Sequence, residues 1–173
     1  MKKIVVIGLA LALSPSVGFA QMGAARPANG VPGPDAEFAK TAAIGGMAEV
    51  QAGRLATTHG TGRAKLIGQH MVTDHGKVNM ELERLAKSKG LPLPRQLDAA
   101  HEANIAALSK ATGTSFNDLY LKGQVADHQN TISLFQTEAD QGTDPDMKAF
   151  AAKTLPDLQQ HFGAIKAAAG VTQ

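Results

Sequence analysis

Three histidines and one glutamate are the residues of this sequence whose types and spacing could hold a metal ion. Glu49, His75, His128 and His161 each lie on the otherwise apolar line that marks the inward face of a predicted helix. Counted from the predicted helix starts, all four fall within roughly one to two turns of mid-height, at about 1.5 Å rise per residue. Side chains at similar height on facing helices can meet at a bundle axis. The pattern therefore predicts a mononuclear site for Zn, Fe, Mn or Cu.

Three aspartates lie close in sequence to these histidines. A carboxylate that accepts the second ring N–H of a ligating histidine is a common supporting group around a metal. Two of the aspartates directly precede a histidine, whereas Asp157 lies four residues before His161 and shares its helix face. A metal-free network, in which such pairs only satisfy one another and order the core, fits the same pattern. The predicted supporting residues are Asp74, Asp127 and Asp157.

The remaining candidates have simpler interpretations. His70 lies four residues before Asp74, and we predict a structural pair rather than a fifth ligand. His59, at a helix end, and His101, on a short helix, are expected to be solvated. Tyr120 is expected to pack in the core or at its rim.

Helical periodicity organises the chain from residue 36 onwards. Strand-like alternation is absent from the sequence, and the pattern predicts four long helices with one short helix in the middle connection. The expected fold class is therefore all-α, a four-helix bundle. Small residues dominate the inward face of the first helix, so a neighbouring helix can approach closely. The predicted helices span residues 36–58, 63–88, 95–111, 115–139 and 145–168.

Capping residues are expected to set three of the helix starts. Asp35 and Asp144 are predicted N-caps, and Pro145 follows Asp144 at the first helical position. Thr114 or Ser115 is predicted to cap the fourth helix, with Asp118 completing a capping-box-like pattern.

Residues 1–20 have the pattern of a cleaved secretory signal peptide. Lys2 and Lys3 precede a short apolar run, and Gly18-Phe19-Ala20 is a small-x-small cleavage site. Residues 21–35 are rich in Gly, Ala and Pro, which predicts a flexible tether ahead of a helical domain over 36–168. We therefore expect a periplasmic or secreted protein.

Composition excludes several classes of protein. Removing residues 1–20 removes two lysines and no acids, which leaves fifteen basic against fifteen acidic residues. A balanced charge without a basic patch argues against nucleic-acid binding. The chain has no cysteine, so disulfides and thiolate metal sites are excluded. No later stretch has the length of a membrane span.

Four ordered stretches of the sequence resemble a bacterial exported family named domain of unknown function 4142, often described as predicted outer-membrane proteins. They are residues 38–55, 69–75, 116–120 with Asp127-His128, and 155–161. The resemblance implies a ferritin-like helical bundle and no established activity. Di-iron bundles of that kind use Glu-x-x-His motifs, which this sequence lacks, so ferroxidase activity is not expected.

Three functions follow as hypotheses. The sharpest is a helical-bundle protein that binds one transition metal at its centre. The second is a metal-free envelope or stress protein whose His–Asp pairs only order the core. The third, which we favour less, is a metal-dependent enzyme with an open coordination position for water or oxygen.

Overall fold

The computed structural model describes residues 30–31 and 33–171, and they form five α-helices without a strand among them. The predicted signal peptide and most of the predicted tether lie outside the described residues. Within the described part, no helix is both long enough and apolar enough to cross a membrane. The four long helices and the short helix in the middle connection confirm the predicted element order. The helices are α1 (Gly33–His59), α2 (Gly62–Ser88), α3 (Ala99–Lys110), α4 (Gly113–Gln141) and α5 (Pro145–Ala169).

Three of the predicted helix starts, those of α1, α3 and α4, differ in the structure. The N-cap of α4 is Thr112, which makes no side-chain capping bond, so the capping box predicted around Ser115 is wrong. Helix α3 begins later than residue 95 because Asp98 caps it, accepting a hydrogen bond from the backbone N–H of His101. Asp144 does cap α5, accepting from the N–H groups of Asp146 and Met147.

Asp35 was predicted to cap α1 but instead lies in its first turn and holds the α4–α5 connection. Its buried carboxylate accepts hydrogen bonds from the N–H and hydroxyl of Thr143 and from the N–H of Asp144. Glu138, also buried, hydrogen-bonds to Asp35 from α4. Burial, the bond to Asp35 and the charges of Asp35 and Asp144 raise the pKa of Glu138 to about 7, with Lys148 opposing them. In its protonated form Glu138 therefore donates to the ionised Asp35, and the pair ties the ends of three helices together.

Helix α1 packs chiefly against α2, and α4 packs chiefly against α5. The α1–α2 contact is close because both helices carry glycine where they cross. A Cβ atom at Gly53 would lie 2.8 Å from the carbonyl oxygen of Gly68. A Cβ atom at Gly68 would lie 2.5 Å from the Cβ of Ala56. The predicted close approach along the small-residue face of α1 is thereby confirmed.

Two apolar clusters fill the interior, one toward each end of the long helices. The first gathers around Phe38, Phe135 and Phe150, and the second around Phe116 and Tyr120. Each long helix contributes residues to both clusters, and between its two contributions it carries one of the four site residues predicted from the sequence. These four residues form a polar layer between the apolar clusters, and they are Glu49, His75, His128 and His161.

Candidate metal centre

Three histidines from three different helices converge in the polar layer. His75 of α2, His128 of α4 and His161 of α5 each offer one nitrogen, and these nitrogens all lie within 4.8 Å of one another. The ring centroids are 5.4 Å apart for His75 and His128 and 5.5 Å apart for His75 and His161. The third pair, His128 and His161, is 5.9 Å apart. The rings thus form a nearly equilateral triangle.

The histidine triangle is shielded from solvent, and two of its rings are neutral near pH 7. His75 is 4% exposed and His128 0%, and the side chain of His161 is 13% exposed. Burial, followed by the neighbouring histidines, lowers the pKa of His75 to about 3. Burial, followed by His161, lowers the pKa of His128 to about 4. A neutral imidazole keeps a lone pair on one nitrogen, which is the form that binds metal ions.

Each ring of the triangle has one buried nitrogen without a hydrogen-bond partner in the described part of the protein. These atoms are Nε2 of His75, Nε2 of His128 and Nδ1 of His161. Buried polar atoms are normally hydrogen-bonded, and leaving one unsatisfied costs about 1–3 kcal/mol. Three such atoms on three adjoining rings call for a shared partner.

The other nitrogens of two rings show where the lone pairs must be. His128 Nδ1 lies 3.2 Å from the carbonyl oxygen of Gln124, which can only accept, so this nitrogen carries the hydrogen. His161 Nε2 lies 3.3 Å from Oδ2 of Asp74 and donates to it. The lone pairs of both rings are consequently on the unpartnered nitrogens, His128 Nε2 and His161 Nδ1.

The triangle is slightly wider than a bound metal ion requires. Bonds of about 2.0–2.1 Å at tetrahedral angles place ligand nitrogens roughly 3.3 Å apart. Closing the triangle from its 4.8 Å upper limit therefore needs an inward movement of at most roughly 0.9 Å by each nitrogen.

Glu49 lies behind His128 rather than within the histidine triangle. Its Oε1 is 3.5 Å from His128 Nδ1, and its Oε2 accepts a hydrogen bond of 2.7 Å from Gln124 Nε2. Burial raises the pKa of Glu49 to about 8, although the hydrogen bond from Gln124 acts to lower this pKa. Glu49 is thus placed to support the ring of His128. Gln124 contacts both residues and was missed in the sequence, where only its position four residues before His128 could have indicated it.

The three predicted supporting aspartates have different surroundings. Burial alone would raise the pKa of Asp74, but bonds from Lys77 and His161 outweigh it and keep Asp74 ionised. Asp74 therefore supports the histidine of the opposite helix, not its sequence neighbour. Asp127 is half-buried, and burial raises the pKa of its carboxyl group, with His101 opposing the shift. Asp157 is exposed and lines a surface cavity.

The remaining candidates from the sequence are accounted for as follows. His70 is exposed, and the partners that the structure gives to Asp74 are Lys77 and His161. His59 and His101 are half-buried rather than solvated, because their Nδ1 atoms bond to the carbonyl of Ala111 and the carboxylate of Asp98. Tyr120 is a core residue, as predicted, and it stacks on Phe116.

Comparison with known proteins places this fold beside one solved structure. The crystal structure of a DUF305 fragment from Deinococcus radiodurans is similar over 83% of this chain and 100% of that chain, with a TM-score of 0.72. At 11% identity this similarity concerns the fold alone. No curated protein matches the chain significantly. The family described as domain of unknown function DUF4142 matches residues 20–168, and the chain belongs to that family.

Proposed function

We propose that this protein binds one transition-metal ion through His75, His128 and His161. The observation that carries the proposal is the convergence of three histidines, each of which offers one ring nitrogen within 4.8 Å of the others. Each ring also has one buried nitrogen without a hydrogen-bond partner in the described part of the protein. A metal ion is the partner that satisfies all three lone pairs at once. In this arrangement Asp74 supports His161, which is the carboxylate–histidine–metal arrangement common in metalloproteins. Glu49 lies beside the ring of His128, 3.5 Å from its Nδ1.

The ligand chemistry narrows the choice of metal. Three neutral imidazoles without a thiolate suit Zn, Cu or Fe, whereas Mn prefers a larger share of oxygen ligands. A set of three protein ligands also leaves one coordination position free, as in catalytic rather than structural zinc sites. We infer a ferritin-like bundle as the scaffold, since four long helices each contribute one residue to the polar layer.

We further propose that the protein acts outside the cytoplasm. The proposal is supported by the charged start, the short apolar run and the small-x-small site within residues 1–20. Amino-terminal sequencing of protein from the periplasmic fraction, with Gln21 expected as the first residue, tests it. A first residue upstream of Ala20 would overturn the cleavage site.

Metal content is the direct test of the binding proposal. Untagged protein purified from its native compartment is expected to contain about one equivalent of one transition metal by elemental mass spectrometry. His128→Ala should lose the metal. The matched control is His70→Ala, which removes an exposed histidine from the same helix as His75 and should keep it.

Circular dichroism of both variants shows whether any loss of metal follows from unfolding. A protein that carries no metal, and takes up none from Zn, Fe, Mn or Cu solutions, would refute the proposal. The His161–Asp74 and His128–Glu49 contacts would then be interpreted as core architecture, the metal-free alternative.

A further inference from the structure

A cavity of about 360 Å³ lies next to the histidine triangle and is lined by residues from all five helices. His75 forms part of its wall, and so does Glu49, which contacts His128. The central cavity, as we call it, therefore reaches both a proposed ligand and the carboxyl group that supports another. Its volume is in the range of sites for small molecules.

The walls of the central cavity combine an apolar surface with a few hydrogen-bonding groups. Val78, Leu134 and Phe135 give it an apolar side, whereas Asn79 and Thr131 offer amide and hydroxyl groups. No lysine or arginine is among its described lining residues. A small uncharged molecule with an apolar body fits this lining better than a phosphate or carboxylate does, because anions are usually bound by Lys or Arg.

Gly45 of α1 keeps the central cavity open. A Cβ atom placed there would meet no described atom within 4 Å. The next residue differs, because a Cβ at Gly46 would overlap the amide of Asn79. Glycine inside a helix costs about 1 kcal/mol relative to alanine. No packing contact explains this loss of helix stability at Gly45. The missing side chain leaves empty space beside the proposed metal site.

A second cavity, of about 340 Å³, also touches His75 but approaches the centre differently. It lies between α2 and α5, and its lining includes His161 and Asp74 as well as Lys77 and Lys153. The hydrogen bond between His161 Nε2 and Asp74 joins two residues of its lining. The Lys153–Glu81 ion pair also lies along it. The central cavity, which has no lysine among its described lining residues, is the one suited to an uncharged molecule.

We propose that the central cavity admits a small neutral molecule, with one nitrogen or oxygen donor atom, to the free coordination position of the metal. This proposal rests on the proposed function, since it needs an ion held by His75, His128 and His161. It assigns the protein a ligand class, namely uncharged donors with a small apolar body.

The experiment uses the full chain loaded with Co²⁺, and imidazole is the probe. Visible absorption reports both events, because cobalt bands appear on metal uptake and shift when a further ligand binds. Gly45→Leu fills the central cavity and replaces glycine by a better helix former. The matched control is Gly123→Leu, an exposed glycine of α4 where a Cβ also meets open space.

Both variants and the unchanged protein are expected to take up one Co²⁺. Imidazole should shift the bands of the unchanged protein and of Gly123→Leu, whereas Gly45→Leu should bind it at least tenfold more weakly. Ultrafiltration confirms that cobalt stays on the protein, and thermal unfolding confirms that Gly45→Leu is folded.

Two other outcomes separate the two proposals. Equal imidazole affinity in Gly45→Leu and in the control would overturn the cavity proposal while leaving the metal site intact. Absence of Co²⁺ uptake by the unchanged protein would overturn the proposed function itself. Co²⁺ uptake is measured before any imidazole is added.

Discussion

Mild acid should destabilise the metal-free protein through its buried histidines. The pKa of His75 falls from 6.5 to about 3 on folding, and that of His128 falls from 6.5 to about 4. A group whose folded-state pKa is depressed contributes stability that is complete above its unfolded pKa and is lost as the pH falls. The loss therefore begins near pH 6.5 and continues toward the folded pKa values.

The size of the acid effect follows from these two pKa shifts. For each such group, lowering the pH by one unit below the unfolded-state pKa reduces the free energy of unfolding by about 1.4 kcal/mol. Between about pH 6.5 and pH 5, each of the two histidines should therefore lose about 2 kcal/mol, or about 4 kcal/mol together. That is a large part of the about 5–15 kcal/mol by which typical domains are stable.

Urea unfolding with a chelator present, followed by circular dichroism at about pH 7 and pH 5, measures this loss. His75→Gln and His128→Gln should each remove about half of the pH dependence, because glutamine does not titrate. His70→Gln is the control, since His70 is exposed on the same helix as His75. Comparing variants with the unchanged protein cancels the opposite contributions of buried carboxyl groups. If both variants lose as much stability as the unchanged protein, the histidines are not buried in neutral form and the reasoning is refuted.

Three further predictions concern the supporting carboxylate, the helix crossing and the buried carboxyl pair. Asp74→Asn should weaken metal affinity about 10- to 100-fold in a competition titration, whereas Asp157→Asn should leave it unchanged; equal effects would contradict the Asp74–His161 contact. Gly68→Ala should cost about 1–3 kcal/mol in urea unfolding because its Cβ overlaps α1, whereas Gly76→Ala, which meets open space, should be neutral or stabilising. Glu138 has a raised pKa in the folded protein. Its contribution to the free energy of unfolding is therefore complete below about pH 4.5 and is lost as the pH rises through about 7. Glu138→Gln should flatten the stability profile over that window, and an unchanged profile would show that Glu138 titrates normally.

The sequence predicted the fold class and the layer of the candidate site because both depend on helical periodicity. Apolar residues at helical spacing identify a helix and its inward face. A polar residue within that series also gives its own position along the helix. That reasoning located His75, His128 and His161, which the structure brings together. It also placed Glu49 in the same layer. Position along the helix, however, does not distinguish a metal ligand from a residue that lies behind a ligand.

Partners across helices were beyond the reach of the sequence. The i,i+4 rule paired His161 with Asp157, whereas the structure pairs it with Asp74 of α2. The same limit applies to Asp35, whose short polar side chain at a helix start is typical of an N-cap but bonds to Thr143 instead. Spacing rules describe one helix at a time, and they contain no information on the rotation of a neighbouring helix.

The sequence by itself thus determined the helices, their apolar inward faces and the presence of one polar layer. Tertiary structure decided which ring nitrogens remain unpartnered, which carboxylate supports which histidine, and where a cavity lies beside them. The physical reason is that amphipathic periodicity fixes each helix face, whereas hydrogen bonds and empty space depend on distances of a few ångströms between helices. Those distances are set by close contacts such as that of Gly53 with Gly68.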